Sequence, residues 1–378
     1  MTFTRRDLGR MAALAIPGAA VLPRLAMAAP NSKYAGVQIG MITYSFRDTR
    51  IPRAEIVPDM AKLGISEVEL MSGDCEALAG APVAPAGPGR GGGGGGGRGR
   101  GQQGEVALAP NGCPVNTRSG RHSLEEAGQA PARGGGGGGG RAARGPATPE
   151  QEAYQAQMKE YQGKFKDWKL ATTPDTWKGV RKQFNEAGID VQILCYNMGM
   201  SAADEDIDYA FHMAQGLGVR AISCSSTVTF AKRVAPYAEK YKMIWSGHGH
   251  DDIFDPEQFA KPETFEFISG LNKYMGINLD IGHFWAAGYD PIPFIEKHHE
   301  KITNLHIKDR DKPDKCGVSG NHPLGQGDTP IKEVLLLMKK NKYKFPANIE
   351  MEYQVPEDSD PVAEVGKCLN FCRSILLS

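Results

Sequence analysis

Short apolar runs alternate along the chain with amphipathic stretches of ten to fifteen residues. That rhythm predicts strand–helix units. The predicted strands are Val37–Tyr44, Glu67–Leu70, Asp190–Cys195, Ala221–Cys224, Met243–Ser246, Gly276–Asp280, Ile302–Ile307 and Ala347–Glu352. Predicted helices cover Arg53–Leu63, Pro174–Ala187, Asp204–Leu217, Ala231–Lys240, Pro262–Lys273, Pro291–His298, Pro330–Lys340 and Asp360–Leu377. Eight strands, each followed by a helix, predict an α/β chain folded as a (β/α)8 barrel. Gly64, Gly188, Gly218 and Gly276 precede strands, where a helix end needs a left-handed residue. A doubly wound open sheet would carry a glycine-rich phosphate turn after its first strand, and Tyr44-Ser45-Phe46-Arg47 is not one.

Two stretches break the rhythm. Residues 73–148 contain two heptaglycine runs, Gly91–Gly97 and Gly134–Gly140, studded with arginines. Such a composition buries too little apolar area to offset its chain entropy, so it predicts a disordered insertion within one barrel domain spanning residues 36–378. Its arginines read as a solvated linker rather than a polyanion-binding arm. A polar helical segment is expected from Thr148 to Trp168. The other break is N-terminal. Thr4-Arg5-Arg6-Asp7-Leu8-Gly9-Arg10, an apolar stretch from Met11 to Leu22 and then Ala26-Met27-Ala28 predict a twin-arginine signal peptide over residues 1–28. The expected location is therefore periplasmic or otherwise exported.

Composition narrows the function classes. The 378 residues carry 44 basic and 44 acidic side chains, and that balance argues against a nucleic-acid partner for the folded part. No apolar run reaches the roughly 18–20 residues of a membrane span. Seven cysteines, an odd number without a Cys-x-x-Cys pair, read as buried free thiols. A homo-oligomer is left open.

Reactive side chains of such barrels lie at the C-terminal ends of the strands. Asp280 ends the sixth strand, His306 lies in the seventh and Glu350 in the eighth, with Glu352 on the same strand left open as the alternative to Glu350. Trp245-Ser246-Gly247-His248-Gly249-His250 places two histidines just past the fifth, with His248 the preferred ligand. His248, Asp280, His306 and Glu350 form a mixed nitrogen/oxygen set suited to Mn2+, Mg2+, Co2+ or Zn2+. His283 stands ready for a substrate oxygen or a proton, and Lys308 and Arg310 for an oxyanion or carboxylate. Glu350, His283 and Lys308 are the candidate catalytic residues. Glu69, Tyr196, His250 and Arg310 are candidate substrate contacts.

The runs Gly276-Ile277-Asn278-Leu279-Asp280-Ile281-Gly282-His283, Leu305-His306-Ile307-Lys308-Asp309, Gly325-Gln326-Gly327-Asp328-Thr329-Pro330-Ile331 and Asn348-Ile349-Glu350-Met351-Glu352-Tyr353 together resemble the xylose isomerase-like barrel superfamily. That group takes in sugar phosphate isomerases/epimerases, the inosose dehydratase type and the endonuclease IV type. The resemblance covers residues 36–72 and 170–378. It implies Asp280, His306 and Glu350 as metal ligands and His283 as a substrate contact. Many epimerases of the group place a glutamate on the fifth strand, where this chain has Ser246-Gly247-His248. The implied function is a divalent-metal sugar isomerase or epimerase working through an enediolate on a keto or hydroxy sugar. The alternatives are a lyase or hydratase on 3-keto-glycosides or related oxidised sugars, and a non-catalytic sugar-binding barrel. Export favours unphosphorylated sugars.

Overall fold

The computed structural model describes residues 29–47, 51–87, 148–314 and 319–378. The predicted signal peptide, residues 88–147 of the predicted insertion, Cys113 and Cys316 lie outside the described residues. Eight strands form the barrel: β1 (Val37–Ile42), β2 (Glu67–Met71), β3 (Asp190–Cys195), β4 (Ala221–Cys224), β5 (Ile244–His248), β6 (Met275–Asp280), β7 (Ile302–Ile307) and β8 (Ala347–Ile349). Each pairs in parallel with the next, and β8 closes on β1 through Ala347↔Ile39 and Ile349↔Met41. Closure leaves no exposed sheet edge, and the predicted (β/α)8 barrel is the observed one. A two-residue strand, Lys33–Tyr34, pairs antiparallel with β1 outside this ring.

Helices cover the barrel with one apolar face each. Asp204–Leu217 buries Ile207, Ala210, Phe211, Ala214 and Leu217, a stripe of helical period. It ends on Gly218 at φ 68°, and Gly188 before β3 is likewise left-handed at φ 77°. Gly276 corrects the expectation: it is not a helix cap but lies inside β6. A Cβ there would approach the Lys301 carbonyl to 3.1 Å and Ile244 to 3.0 Å, so close strand packing is what asks for glycine.

Other boundaries shift with physical cause. β1 stops at Ile42 because Thr43–Phe46 winds into a 3-10 turn. β5 runs two residues further than predicted and carries His248 within the ladder, opposite Asn278. β8 ends at Ile349, although the Glu350 amide still donates to the Ile307 carbonyl at 3.1 Å. The stretch assigned to the insertion begins too early, since Ser72–Leu78 is a helix of the barrel. Its Cys75 is buried, and its buried Asp74 accepts from Thr43 Oγ1 at 2.5 Å and pairs with Arg53 at 2.7 Å. The polar helix after the insertion runs Pro149–Ala171 from a Thr148/Gln151 capping box. Cys75, Cys195, Cys224, Cys368 and Cys372 are free and buried. No described helix is long and apolar enough to cross a membrane.

The barrel interior is unusually polar. Glu67, Glu69, Asn278, Asn304 and Asn348 are all buried along its axis. Glu67 Oε2 accepts from Asn348 Nδ2 at 2.7 Å, while Oε1 has no hydrogen-bond partner among the described residues. Burial and neighbouring Glu69 push the Glu67 carboxyl well above the carboxylate range. An acid whose folded pKa is raised keeps its proton in the fold after the unfolded chain has lost its own. Stability is therefore lost as pH rises from the ordinary carboxyl value toward the folded one. Glu67→Gln should raise thermal stability at neutral pH, and the gain should vanish below about pH 4.5, where both states are protonated. Melting curves at pH 4 and pH 7 check this, and an equal gain at both values would contradict it.

Candidate metal centre

Parallel strands of equal register bring the predicted ligands to one level. Asp280 of β6 is paired with His306 of β7, and His306 is two residues past Asn304 on the same strand face. Ligand atoms of His248, Asp280, His306 and Glu350 all lie within 4.8 Å of one another, and all four side chains are buried. Asp280 also caps the helix Ile281–Ala286, its Oδ1 accepting from the His283 amide at 2.8 Å. Its other oxygen, Oδ2, lies 2.9 Å from Lys308 Nζ but outside hydrogen-bond geometry, and so has no hydrogen-bond partner. A carboxylate oxygen met only by the Lys308 ammonium, beside two imidazoles and a second carboxylate, fits a divalent cation of the borderline class.

For His248 the electrostatics agree with that fit. Burial and the neighbouring His306 push His248 down to about 4, and burial with His248 and His283 pushes His250 down to about 3. Both are neutral near pH 7, as a ligand must be. Burial would lower His306 too, but Glu69 at 2.6 Å from Nε2 and Glu350 at 2.8 Å from Nδ1 hold it well above its usual value. Against burial, Lys308 and His306 hold Glu350 well below the carboxylate range. Protons and an ammonium thus balance carboxylates that a metal would otherwise balance.

Lys308 is fully enclosed. Its Nζ lies 2.9 Å from Asp280 Oδ2, Glu350 Oε2 and Glu352 Oε2, and 3.0 Å from His283 Nε2. Arg310 Nη1 lies 2.7 Å from both Asp251 Oδ2 and His283 Nδ1. His283, Lys308 and Arg310 are therefore one group beside the ligand cluster. His250 stands next to His248, with ring centroids 5.1 Å apart, and meets Ser225 Oγ at 2.5 Å. Two predicted contacts go elsewhere. Tyr196 packs edge-on against Tyr209, with Glu76 and Asp206 its nearest charges. Glu69 has no exposed surface and sits beneath His306, inside the barrel.

Sequence reading passed over Asn278, Asp251 and Tyr44, which the structure brings here, and left Glu352 as an alternative to Glu350. Asn278 joins His248 to Glu69. Asp251 anchors Arg310, and Glu352 pairs with Lys308. Tyr44, in the turn after β1, feels the charges of Glu352, Glu350 and Lys308. Strand period two was the available signal for Asn278, two residues from the predicted ligand Asp280.

Asp309 fixes the loop above the site. Its carboxylate accepts from the backbone amides of Gly325 at 2.7 Å, Gly327 at 3.0 Å and Thr329 at 3.2 Å. Asp309→Ala should orphan these donors at a cost of roughly 1–3 kcal/mol. Faster hydrogen exchange at Gly325 and Gly327 is the check, and unchanged exchange would refute it.

Comparison with known proteins agrees with this architecture. Residues 157–375 match the family model described as a xylose isomerase-like TIM barrel. No curated protein matches the chain by sequence. Among solved structures, the probable 3-DHS dehydratase AsbF from Bacillus anthracis superposes with a TM-score of 0.53 at 12% identity, over 88% of this chain and 98% of that one. D-psicose 3-epimerase, solved with D-fructose, gives 0.52 at 9% identity over 90% and 100%. The 3-keto-D-glucoside 4-epimerase YcjR from E. coli gives 0.50 at 9% identity over 89% and 99%. At these identities the likeness speaks for the fold. With the family model matching more than half of its residues, the chain belongs to the xylose isomerase-like TIM barrel family.

Proposed function

We propose that the protein is a divalent-metal-dependent isomerase or epimerase of a keto or hydroxy sugar. The observation that carries this reading is the buried quartet His248, Asp280, His306 and Glu350, with the ammonium of Lys308 at its edge. His248, Asp280, His306 and Glu350 would hold a Mn2+, Mg2+, Co2+ or Zn2+ ion, which would supply Lewis acidity toward a substrate carbonyl. The chain's residues do the rest. Lys308 Nζ is placed to meet negative charge developing on a substrate oxygen. A carboxylate of the Glu350/Glu352 pair takes the proton and returns it to the neighbouring carbon for isomerisation; epimerisation needs a second group to deliver a proton to the other face. His283, steadied by Arg310 and Lys308, holds a substrate hydroxyl. Epimerase and dehydratase names among proteins of the same fold are compatible with this chemistry.

One observation favours a second reading. His248 and His250 stand at the end of β5, where a two-base mechanism would want a carboxylate opposite Glu350. A site with carboxylates on one side suits elimination or hydration of a 3-keto-glycoside, in which the same carboxylate removes a proton and a leaving group departs. Incubation with aldoses, ketoses and 3-keto-glycosides in D2O separates the two. Deuterium gained without bond cleavage supports isomerisation or epimerisation, and aglycone release supports the lyase. Protein without stoichiometric metal, and indifferent to chelator, would sink both. Export through the twin-arginine route belongs to the same proposal; cell fractionation of an Arg5→Lys/Arg6→Lys variant tests it.

A further inference from the structure

We infer that Glu69 is a positioning residue that sets the ring tautomers of both histidine ligands, His306 directly and His248 through Asn278. This inference rests on the metal reading above. Glu69 is fully buried, and each of its oxygens meets two donors. Oε2 accepts from His306 Nε2 at 2.6 Å and from Asn304 Nδ2 at 2.6 Å. Oε1 accepts from Asn278 Nδ2 at 3.2 Å and from the Ser223 hydroxyl. A carboxylate with four donors around it is acceptor-only, and that constraint propagates.

For His306 the consequence is direct. Its Nε2 must carry the hydrogen that faces Glu69, so the lone pair available to a cation is on Nδ1, the nitrogen turned toward Glu350 Oε2 at 2.8 Å. For His248 it takes one more link. Asn278 must present its amide nitrogen to Glu69, because its oxygen there would face a carboxylate. Its Oδ1 then points at His248 Nδ1, 3.3 Å away, and can only accept. His248 Nδ1 carries the hydrogen and Nε2 is free to ligate. One carboxylate below the site thereby fixes two rings above it. Glu69 touches no surface from which a substrate could reach it.

The test is nuclear magnetic resonance on the full protein, labelled with 15N in its histidine rings and loaded with 113Cd2+. Metal uptake is measured first. Scalar coupling of 113Cd to Nδ1 of His306 and Nε2 of His248 is the expected result. Coupling through the opposite nitrogen of either ring would overturn the inference while leaving the metal reading intact; absence of stoichiometric uptake would overturn both. Glu69→Gln turns one acceptor into a donor facing two other donors. Cadmium affinity should then fall about 10–100-fold. A folded Glu69→Gln protein with unchanged affinity and unchanged couplings would also overturn it. The wild-type couplings decide the matter even if that variant does not fold.

Discussion

His306→Ala should deprive the purified protein of stoichiometric metal and reduce its turnover by more than the ~10–100-fold expected for loss of an outer partner. The argument is geometric. His306 is the central member of the quartet, hydrogen-bonded to Glu350 on one side and Glu69 on the other, with one per cent exposure. Truncation removes a donor atom and also leaves two buried carboxylates without the cation between them. Breaking a buried charge pair destabilises by about 3–5 kcal/mol. The variant should therefore melt well below the wild type even in chelator, where no metal contributes to either protein. Elemental analysis and calorimetry check the two parts separately. Wild-type metal content in the variant would remove His306 from the ligand set.

Lys308→Met is the second large effect. Its ammonium is the common partner of Asp280, Glu350 and Glu352, each at 2.9 Å, and is itself buried. Methionine keeps the length of the side chain and removes the charge. In metal-free protein the three carboxylates then repel, and a loss on the scale of about 3–5 kcal/mol is expected. A divalent ion replaces that missing charge, so added Mn2+ should stabilise the variant more than it stabilises the wild type. Turnover should nonetheless fall about 10²–10³-fold, since the group facing the developing oxyanion is gone. An unchanged melting temperature in chelator would show that Lys308 does not hold the carboxylates together.

The barrel was legible because two local signals repeat: apolar runs of strand length and amphipathic runs of helix length. The candidate ligands were legible because each lies at or next to the end of an apolar run, as Asp280 and His306 do. What escaped was set by distance in the chain. Glu69 lies in the middle of β2 and looks from sequence like any other rim carboxylate. Only the closed barrel puts it below His306, 237 positions away, rather than beside the substrate. Tyr196 also follows a strand end, yet its ring packs edge-on against Tyr209 of the following helix. The boundary of the insertion was missed at Ser72–Leu78 because that helix is short, and its anchoring partners Thr43 and Arg53 come from an earlier segment.

The seam of the barrel bears on the order in which the protein is made. β1 finds one of its two neighbours only in β8, and Ser45 Oγ donates to the Ile349 carbonyl across 304 positions. A nascent chain leaving the ribosome can stack its strand–helix units one after another, but it cannot join the two ends of the ring until the last strand has emerged. Glu350 and Glu352 follow that strand immediately, so the final carboxylates and the final sheet pairing arrive together. Partly synthesised chains therefore hold at most part of the candidate ligand set, which is completed only when the ring shuts.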